Sequence, residues 1–291
     1  MAEKKTNVLL IIDANALIHR FFHALPPLTT PAGEPIGGIY GLCGVILKIL
    51  KEQRPDFIAA AFDTPEKTFR EEEFKEYKIQ RPPTAAELVS QIRRAQEVFE
   101  LFKVKIFAQP GFEADDIIGT LAEKFKKEKD FQVVILSGDL DMLQLVEDEK
   151  VLAQISKTGI TETTVFNEAA VKERYELKPG QLPDLKGFTG DPSDNIPGVK
   201  GVGPKTAVPL LKEFGTVEGI FENIGLIPEK TAKKLKGHEE EAIFSKKLAT
   251  IRRNVPLEVS LADLKAQPLD KKILSEYFEK LGFQSLVKRL E

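Results

Sequence analysis

The sequence predicts an α/β chain, a parallel sheet buried on both faces, with an all-helical unit after it. Three observations carry this. Mainly apolar runs at residues 8–12, 57–62, 104–107 and 132–136 are interleaved with helical stretches, as parallel strands joined by crossovers require. Carboxylates follow these runs repeatedly: Asp13, Asp63, the Glu113/Asp115/Asp116 group and Asp139/Asp141. Around Pro179-Gly180 the strand signals stop and only helices and turns are read, so a boundary falls at about 175–182, separating 1–178 from 179–291.

A chain of 291 residues can bury a core that needs no staples. Its single cysteine, Cys43, excludes a disulfide framework and a cysteine-rich zinc site. The apolar run before Asp13 is too short for a signal peptide, and no run approaches the roughly 20 residues of a membrane span. A cytoplasmic monomer without membrane contact is expected. The formal net charge is −3, so the chain is not basic throughout; Lys and Arg gather instead at 67–94 and 228–253.

In chain order, the first strand ends at Asp13, the carboxyl end where open parallel sheets bind ligands. In the helix at 15–22, Arg20 is within reach of a phosphate or lies on the surface; His19 and His23 lack ligand-spaced partners and read as ordinary. A Pro/Gly/Thr loop at 26–38 precedes a helix at about 39–53, and the second strand ends at Asp63. Residues 64–94 differ in kind, with Phe69, Arg70, Phe74, Tyr77, Lys78 and Arg81 in a highly charged background. Interleaved rings and cations can track a single nucleic-acid strand, or the segment is an amphipathic helix with a solvated face. Few of its residues can anchor to a core, so it is expected to be mobile. Pro82-Pro83 breaks it, and Thr84 is expected to cap a helix to about residue 101.

Gly111-Phe112-Glu113-Ala114-Asp115-Asp116 places three carboxylates within four residues at a helix start, where acids either cap free N–H groups or hold a cation. The fourth strand ends in Ser137-Gly138-Asp139-Leu140-Asp141. Runs at 151–155 and 163–166, around a turn at 157–159, read as a hairpin closing the sheet; Asn167 caps a helix through 175. Beyond the boundary, Gly190-Asp191-Pro192-Ser193-Asp194 adds two acids. Lys200-Gly201-Val202-Gly203-Pro204-Lys205-Thr206 then reads as a helix-hairpin-helix over about 190–214. Its glycines allow unusual backbone conformations, and N–H groups at the start of the following helix suit a phosphate. Pro209, inside that helix, predicts a kink or a wide first turn. Helices near 216–224, 228–236, 239–253, 270–281 and 284–290 complete the chain.

The acids assemble into one list: Asp13, Asp63, Glu113, Asp115, Asp116, Asp139, Asp141, Asp191 and Asp194. Crowded carboxylates take up protons unless cations hold them. Oxygen ligands without His or Cys suit Mg²⁺ or Mn²⁺. There are more acids than one Mg²⁺ needs, which makes two ions the economical reading, and two-metal sites serve phosphodiester chemistry. The lack of a Gly-x-x-x-x-Gly-Lys loop argues against a bound nucleoside triphosphate.

With these stretches in place, together with Tyr77-Lys78 and Arg81, the chain resembles the 5′-nuclease (5′→3′ exonuclease) domain family of bacterial DNA polymerase I, within the flap endonuclease superfamily. The resemblance covers essentially the whole chain. It implies a PIN-like parallel-sheet nuclease core with a helical arch at about 66–94, followed by the helix-hairpin-helix domain. It implies that Asp13, Asp63, Glu113 and Asp115 form one metal site and Asp139, Asp141 and Asp194 the other, with Asp115 or Glu113 shared and Asp116 and Asp191 in the outer sphere of the metals. Asp13, Asp63, Asp115, Asp139, Lys78 and Arg81 would carry the catalysis. Lys78 and Arg81 would meet the scissile phosphate, and Tyr77 would stack on or position the unpaired strand. Arg20, Arg70, Lys200, Gly201, Gly203, Lys205 and Thr206 would add DNA contacts, with K⁺ at the 201–203 hairpin. The substrate would be DNA with a 5′ flap, nick or 5′ end, met in primer removal and repair, with a polymerase fused or separate. A PIN-type ribonuclease, or a DNA-binding scaffold that does not cut, are the competing readings.

Overall fold

The computed structural model describes residues 6–156 and 162–290. The turn expected at 157–159 lies outside the described residues. The first half alternates strands and helices: β1 (Asn7–Asp13), α1 (Ala14–Ala24), α2 (Gly37–Glu52), β2 (Phe57–Ala61), α3 (Phe69–Glu73), α4 (Ala86–Leu101), β3 (Lys105–Phe107), α5 (Ala114–Phe125), β4 (Phe131–Ser137), β5 (Val151–Ser156), β6 (Thr163–Phe166) and α6 (Glu168–Tyr175). The strand order is β3-β2-β1-β4-β5-β6, parallel except for β6, which returns antiparallel to β5 as the expected hairpin.

The apolar run of β1 explains its central place. Leu10 and Ile12 join the core beneath α1 and α2, while Leu9 and Ile11 join the core beneath α5. All four are essentially inaccessible, and each such side chain contributes about 1.5–3 kcal/mol when withdrawn from water. Register sets the strand ends level: Asp13 lies opposite Ala61 on β2, and Ile12 opposite Leu136 on β4. The strand order reverses direction between β1 and β4, so the crevice beyond these carboxyl ends is the natural ligand site of the sheet.

The helical half comprises α7 (Leu182–Thr189), α8 (Pro204–Phe214), α9 (Val217–Glu222), α10 (Glu229–Leu235), α11 (Glu239–Ala249), α12 (Lys271–Leu281) and α13 (Gln284–Leu290). Phe188, Leu211, Val217, Ile220 and Leu235 form a separate core for α7 to α10. The hairpin between α7 and α8 depends on close backbone approach. A Cβ on Gly198 (φ +62°) would lie 2.1 Å from the Gly190 nitrogen, so only glycine fits. Pro209 does not interrupt α8, which runs unbroken from Pro204 to Phe214. The bond it cannot make would have gone to the carbonyl of exposed Lys205, where water can substitute.

The stretch 179–291 divides its packing. After α11 the chain crosses back to the sheet, where Lys265 bridges Phe57 and the Ala266 N–H donates to the Asp56 carbonyl. Leu274, Phe278 and Leu286 of α12 and α13 then pack into the core under α1 and α2.

Residues 66–94 also differ from expectation. Before α4, which starts at Ala86 with no side-chain cap from Thr84, they carry only the five-residue α3, turns and an extended stretch. The segment is anchored rather than loose. Phe74 meets Phe244 edge-on at 5.5 Å, Tyr77 is 5% exposed, and Glu73 pairs with Lys247. An edge-on aromatic pair adds about 0.5–1.5 kcal/mol. The anchors lie on α11, far along the chain, which is why local composition did not reveal them.

Candidate active site

Carboxylates from separate elements converge at the strand ends. Asp13, Asp63, Glu113, Asp115, Asp139 and Asp194 line one pocket of about 480 Å³ together with Asn15, His19, Lys78 and Arg81. Each acid is oriented by the element it terminates. Asp13 caps α1, its Oδ1 accepting the Ala16 N–H at 3.0 Å, and its Oδ2 accepts the Ser137 hydroxyl at 2.6 Å. Asp63 Oδ1 accepts the Ala114 N–H at 2.7 Å, tying the end of β2 to the start of α5. Glu113 and Asp116 form a reciprocal capping box on α5. Roles divide within the stretch: Asp116 caps, Glu113 both caps and lines the pocket, and Asp115 lies between them, with Asp13 and Asp139 exerting the largest charge effects on it. Asp139 caps the 3-10 helix Leu140–Leu145 by accepting the Asp141 N–H.

Burial raises the Asp13 carboxyl to about 7, with the charges of Asp63 and Asp139 adding to the effect. Burial likewise raises Asp63, and raises Asp115 well above the carboxylate range with Asp13 and Asp139 adding. A pocket with several buried acids of this kind is poorly matched to protons alone near neutral pH and well matched to a hard divalent cation.

Two cations close the pocket. Lys78 Nζ donates to Glu113 Oε1 at 2.9 Å and lies 3.9 Å from Asp194 Oδ2. Burial opposes its charge, but Glu113 and Asp194 outweigh that and raise it. Lys78 holds a left-handed backbone (φ 54°), and its N–H donates to the Asp194 carbonyl at 2.9 Å. Arg81 donates to Asp194 Oδ1 at 2.5 Å.

A second acidic group adjoins the first. Carboxylate oxygens of Asp141, Asp191 and Asp194 all lie within 4.8 Å of one another, a set that could hold a metal ion. Lys186 of α7 donates to Asp141 and, at 2.6 Å, to Asp191. Burial raises Asp141 to about 6, with Lys186 opposing. Asp191 is lowered because the Lys186 and Ser193 bonds outweigh its burial. In space, Asp139 and Asp194 both line the first pocket, and Asp191, an outer-sphere member in the resemblance, lies with Asp141 and Asp194.

Two further expectations are corrected. Arg70 does not face a ligand: it is 3% exposed and bonded to Asp116, Glu113 and two carbonyls. Its partner Asp116, fully buried, is committed to Arg70 and to backbone N–H groups. Tyr77 is buried and donates its hydroxyl to Glu113 and Asp194 rather than presenting its ring to a strand. The segment carrying residues 70 and 77 is packed by α11, and its guanidinium and phenol hydroxyl are spent on partners within the protein.

The hairpin residues lie away from the pocket lining. Lys200, Gly201 and Lys205 are exposed, and Gly203 and Thr206 half-buried. Arg20 is half-buried beside Gly138. Residues without an assigned role in the sequence now have one. Lys186 bridges two acids, Ser137 orients Asp13, Asn15 Oδ1 accepts the Asp63 N–H at 3.3 Å, and His19 lines the pocket. Ser137 stood in the Ser-Gly-Asp stretch as a visible hint; Lys186 had no local signal.

The family model described as 5′-3′ exonuclease, N-terminal resolvase-like domain, matches residues 8–176, and 5′-3′ exonuclease, C-terminal SAM fold, matches 177–272. DNA polymerase I of Bacillus caldotenax is 43% identical over 97% of this chain and 32% of its own length. DNA polymerase I of Bacillus subtilis is 40% identical over 100% of this chain and 33% of its own length. The chain therefore spans about one third of the curated relatives it matches. In fold it is similar to bacteriophage T5 5′-exonuclease with bound zinc (TM-score 0.69, 23% identity, 98% of this chain and 97% of that one). It is also similar to flap endonuclease-1 from Methanococcus jannaschii (TM-score 0.60, 17% identity, 98% and 91%).

Proposed function

Because the chain belongs to the 5′-3′ exonuclease family, we propose that it is a structure-specific 5′ nuclease that hydrolyses DNA phosphodiesters at a 5′ flap, nick or free 5′ end. The observation that carries this is the single pocket in which acids from β1, β2, α5, the 139–141 turn and the 190–198 turn meet beneath Lys78 and Arg81. All the donors are carboxylate oxygens, which fits two Mg²⁺ or Mn²⁺ ions. Asp13, Asp63, Glu113 and Asp115 would hold one, with Asp139 beside them, and Asp141, Asp191 and Asp194 the other. Such ions, when bound, activate water and stabilise the attacking and leaving oxygens.

The chain's own groups supply the rest. Lys78 and Arg81 sit at the rim with carboxylates below them and offer their N–H groups to phosphate oxygens as charge develops. A phosphate entering the pocket competes with Glu113 and Asp194 for these two cations, so metal occupancy of the acids and release of the cations toward substrate are coupled. The start of α8, at the positive end of the helix dipole, and the exposed Lys200 and Lys205 suit the backbone of the duplex. K⁺ at the hairpin would share the Gly201 carbonyl with Lys234 Nζ, which donates to it at 3.3 Å. The relatives are named DNA polymerase I, which supports work beside a polymerase, fused or separate, in primer removal and repair. No helix among the described residues is long and apolar enough to cross a membrane.

The test is an end-labelled flap duplex incubated with Mg²⁺, without it, and with a chelator, beside a single-stranded RNA. Metal-dependent products cut near the flap junction support the proposal. Cleavage of the RNA alone would favour the ribonuclease reading, and binding without cleavage the scaffold.

A further inference from the structure

Arg70 makes five hydrogen bonds from a fully enclosed position. Its Nε donates to the Leu248 carbonyl at 2.8 Å. One terminal nitrogen donates to Asp116 Oδ2 at 2.8 Å and Glu113 Oε2 at 3.3 Å. The other donates to Asp116 Oδ1 and the Thr250 carbonyl, both at 2.9 Å. The guanidinium carries five N–H groups, so none is left over. Asp116 is as fully engaged: besides the fork it accepts the N–H of Glu113 at 3.2 Å and of Arg252 at 2.8 Å.

These contacts join three parts of the chain that are distant in sequence. Arg70 stands on α3, Glu113 and Asp116 at the start of α5, and residues 248–252 where α11 ends and the chain crosses back to the sheet. The same contacts explain why α11 stops at Ala249 rather than continuing to 253. The Leu248 and Thr250 carbonyls are turned to Arg70, and the Arg252 N–H to Asp116. Glu113 receives the fork on one side and lines the pocket on the other, where Lys78 holds its second oxygen. Asp115 lies between the two capped residues, so its backbone cannot shift unless they do.

We propose that Arg70 is a positioning residue. It seats the start of α5, and with it Glu113 and Asp115, against the crossover from the helical unit, so that the acidic pocket is assembled only when that unit is docked. The proposal rests on the two-metal reading above. Groups that orient metal ligands from behind change metal affinity by about 10–100-fold when altered. Arg70→Lys keeps the charge but cannot span two carboxylates and two carbonyls. It is expected to weaken Mn²⁺ binding, followed by electron paramagnetic resonance, by about tenfold. Flap-duplex affinity in Ca²⁺ should change by less than about twofold, and excess Mn²⁺ should restore cleavage toward the unaltered rate.

A second variant, Arg70→Met with Asp116→Leu, replaces the buried pair by apolar side chains and is expected to fold while showing the same loss of Mn²⁺ affinity. In the unaltered protein, Mn²⁺-site occupancy by Ca²⁺ should slow hydrogen exchange at the amides of residues 250–253, because coupling between sites is reciprocal. Folded variants with unaltered Mn²⁺ affinity overturn the proposal, as does unchanged exchange at 250–253 on Ca²⁺ binding. If the unaltered protein itself binds no Mn²⁺, the two-metal reading fails instead.

Discussion

Lowering the pH from 8 to 6 should weaken metal binding at the first pocket about tenfold. A metal ion and a proton compete for the same carboxylate, so apparent affinity falls by the factor 1 + 10^(pKa − pH). With Asp13 raised to about 7, that factor is about 1.1 at pH 8 and about 11 at pH 6. Asp141, raised to about 6, contributes only about twofold at pH 6, so the second group should respond less. Folding stability must carry the same signature. The folded carboxyl of Asp13 lies above its unfolded value, so the metal-free protein is stabilised at low pH and loses that contribution as the pH rises from about 4 through about 7. Mg²⁺ should therefore raise the melting temperature more at pH 8 than at pH 6. Titrations of Mn²⁺ at both pH values read the first effect, and differential scanning calorimetry with and without Mg²⁺ reads the second. A change in affinity below about twofold would refute the premise that buried Asp13 is a ligand. Asp13→Asn, which has no proton to release, should flatten the response.

Asp139→Ala should lower cleavage at least about a hundredfold while the circular-dichroism melt survives, since Asp139 borders the pocket rather than the core; residual activity close to the unaltered rate would count against the two-ion arrangement. Arg81→Ala should slow turnover about a hundredfold with little change in duplex affinity, as measured by single-turnover kinetics and filter binding; equal losses in both would make Arg81 a simple anchor for DNA. Gly119→Ala should destabilise the protein. The new methyl would lie 2.7 Å from Ile251 Cγ2 and 2.9 Å from the Arg252 carbonyl oxygen. Overpacking of about 1–3 kcal/mol outweighs a helix-propensity gain of about 1 kcal/mol. A urea midpoint that does not fall would show that the crossover yields at no cost.

Periodicity and strand-end chemistry made much of this molecule legible in one dimension. The run from Val8 to Ile12 reads as a buried strand because every residue in it is apolar, and both cores do claim it. Asp13, Asp63 and Asp139 could be placed at one edge because parallel strands point the same way, whatever their order. The helix-hairpin-helix was visible because glycine and proline restrict or free the backbone locally. What escaped was every decision made by a partner remote in the chain. Phe74, Tyr77 and Arg70 have the composition of a nucleic-acid track, yet α11 buries or anchors them. Asp116 looks like Asp115, one position away, and only the Arg70 fork separates their roles. Lys186 has no pattern around it, yet it bridges Asp141 and Asp191.

The amino-acid order by itself determined the strands, the helix starts and the supply of acids at the strand ends, since backbone preference and hydrophobic period act over a few residues. Tertiary structure alone decided which acids share a pocket, which charge is neutralised by which, and that α12 and α13 return to the first core. Charge pairing and desolvation depend on distance in space, and two residues separated by more than a hundred positions acquire a distance only when the chain has closed around them.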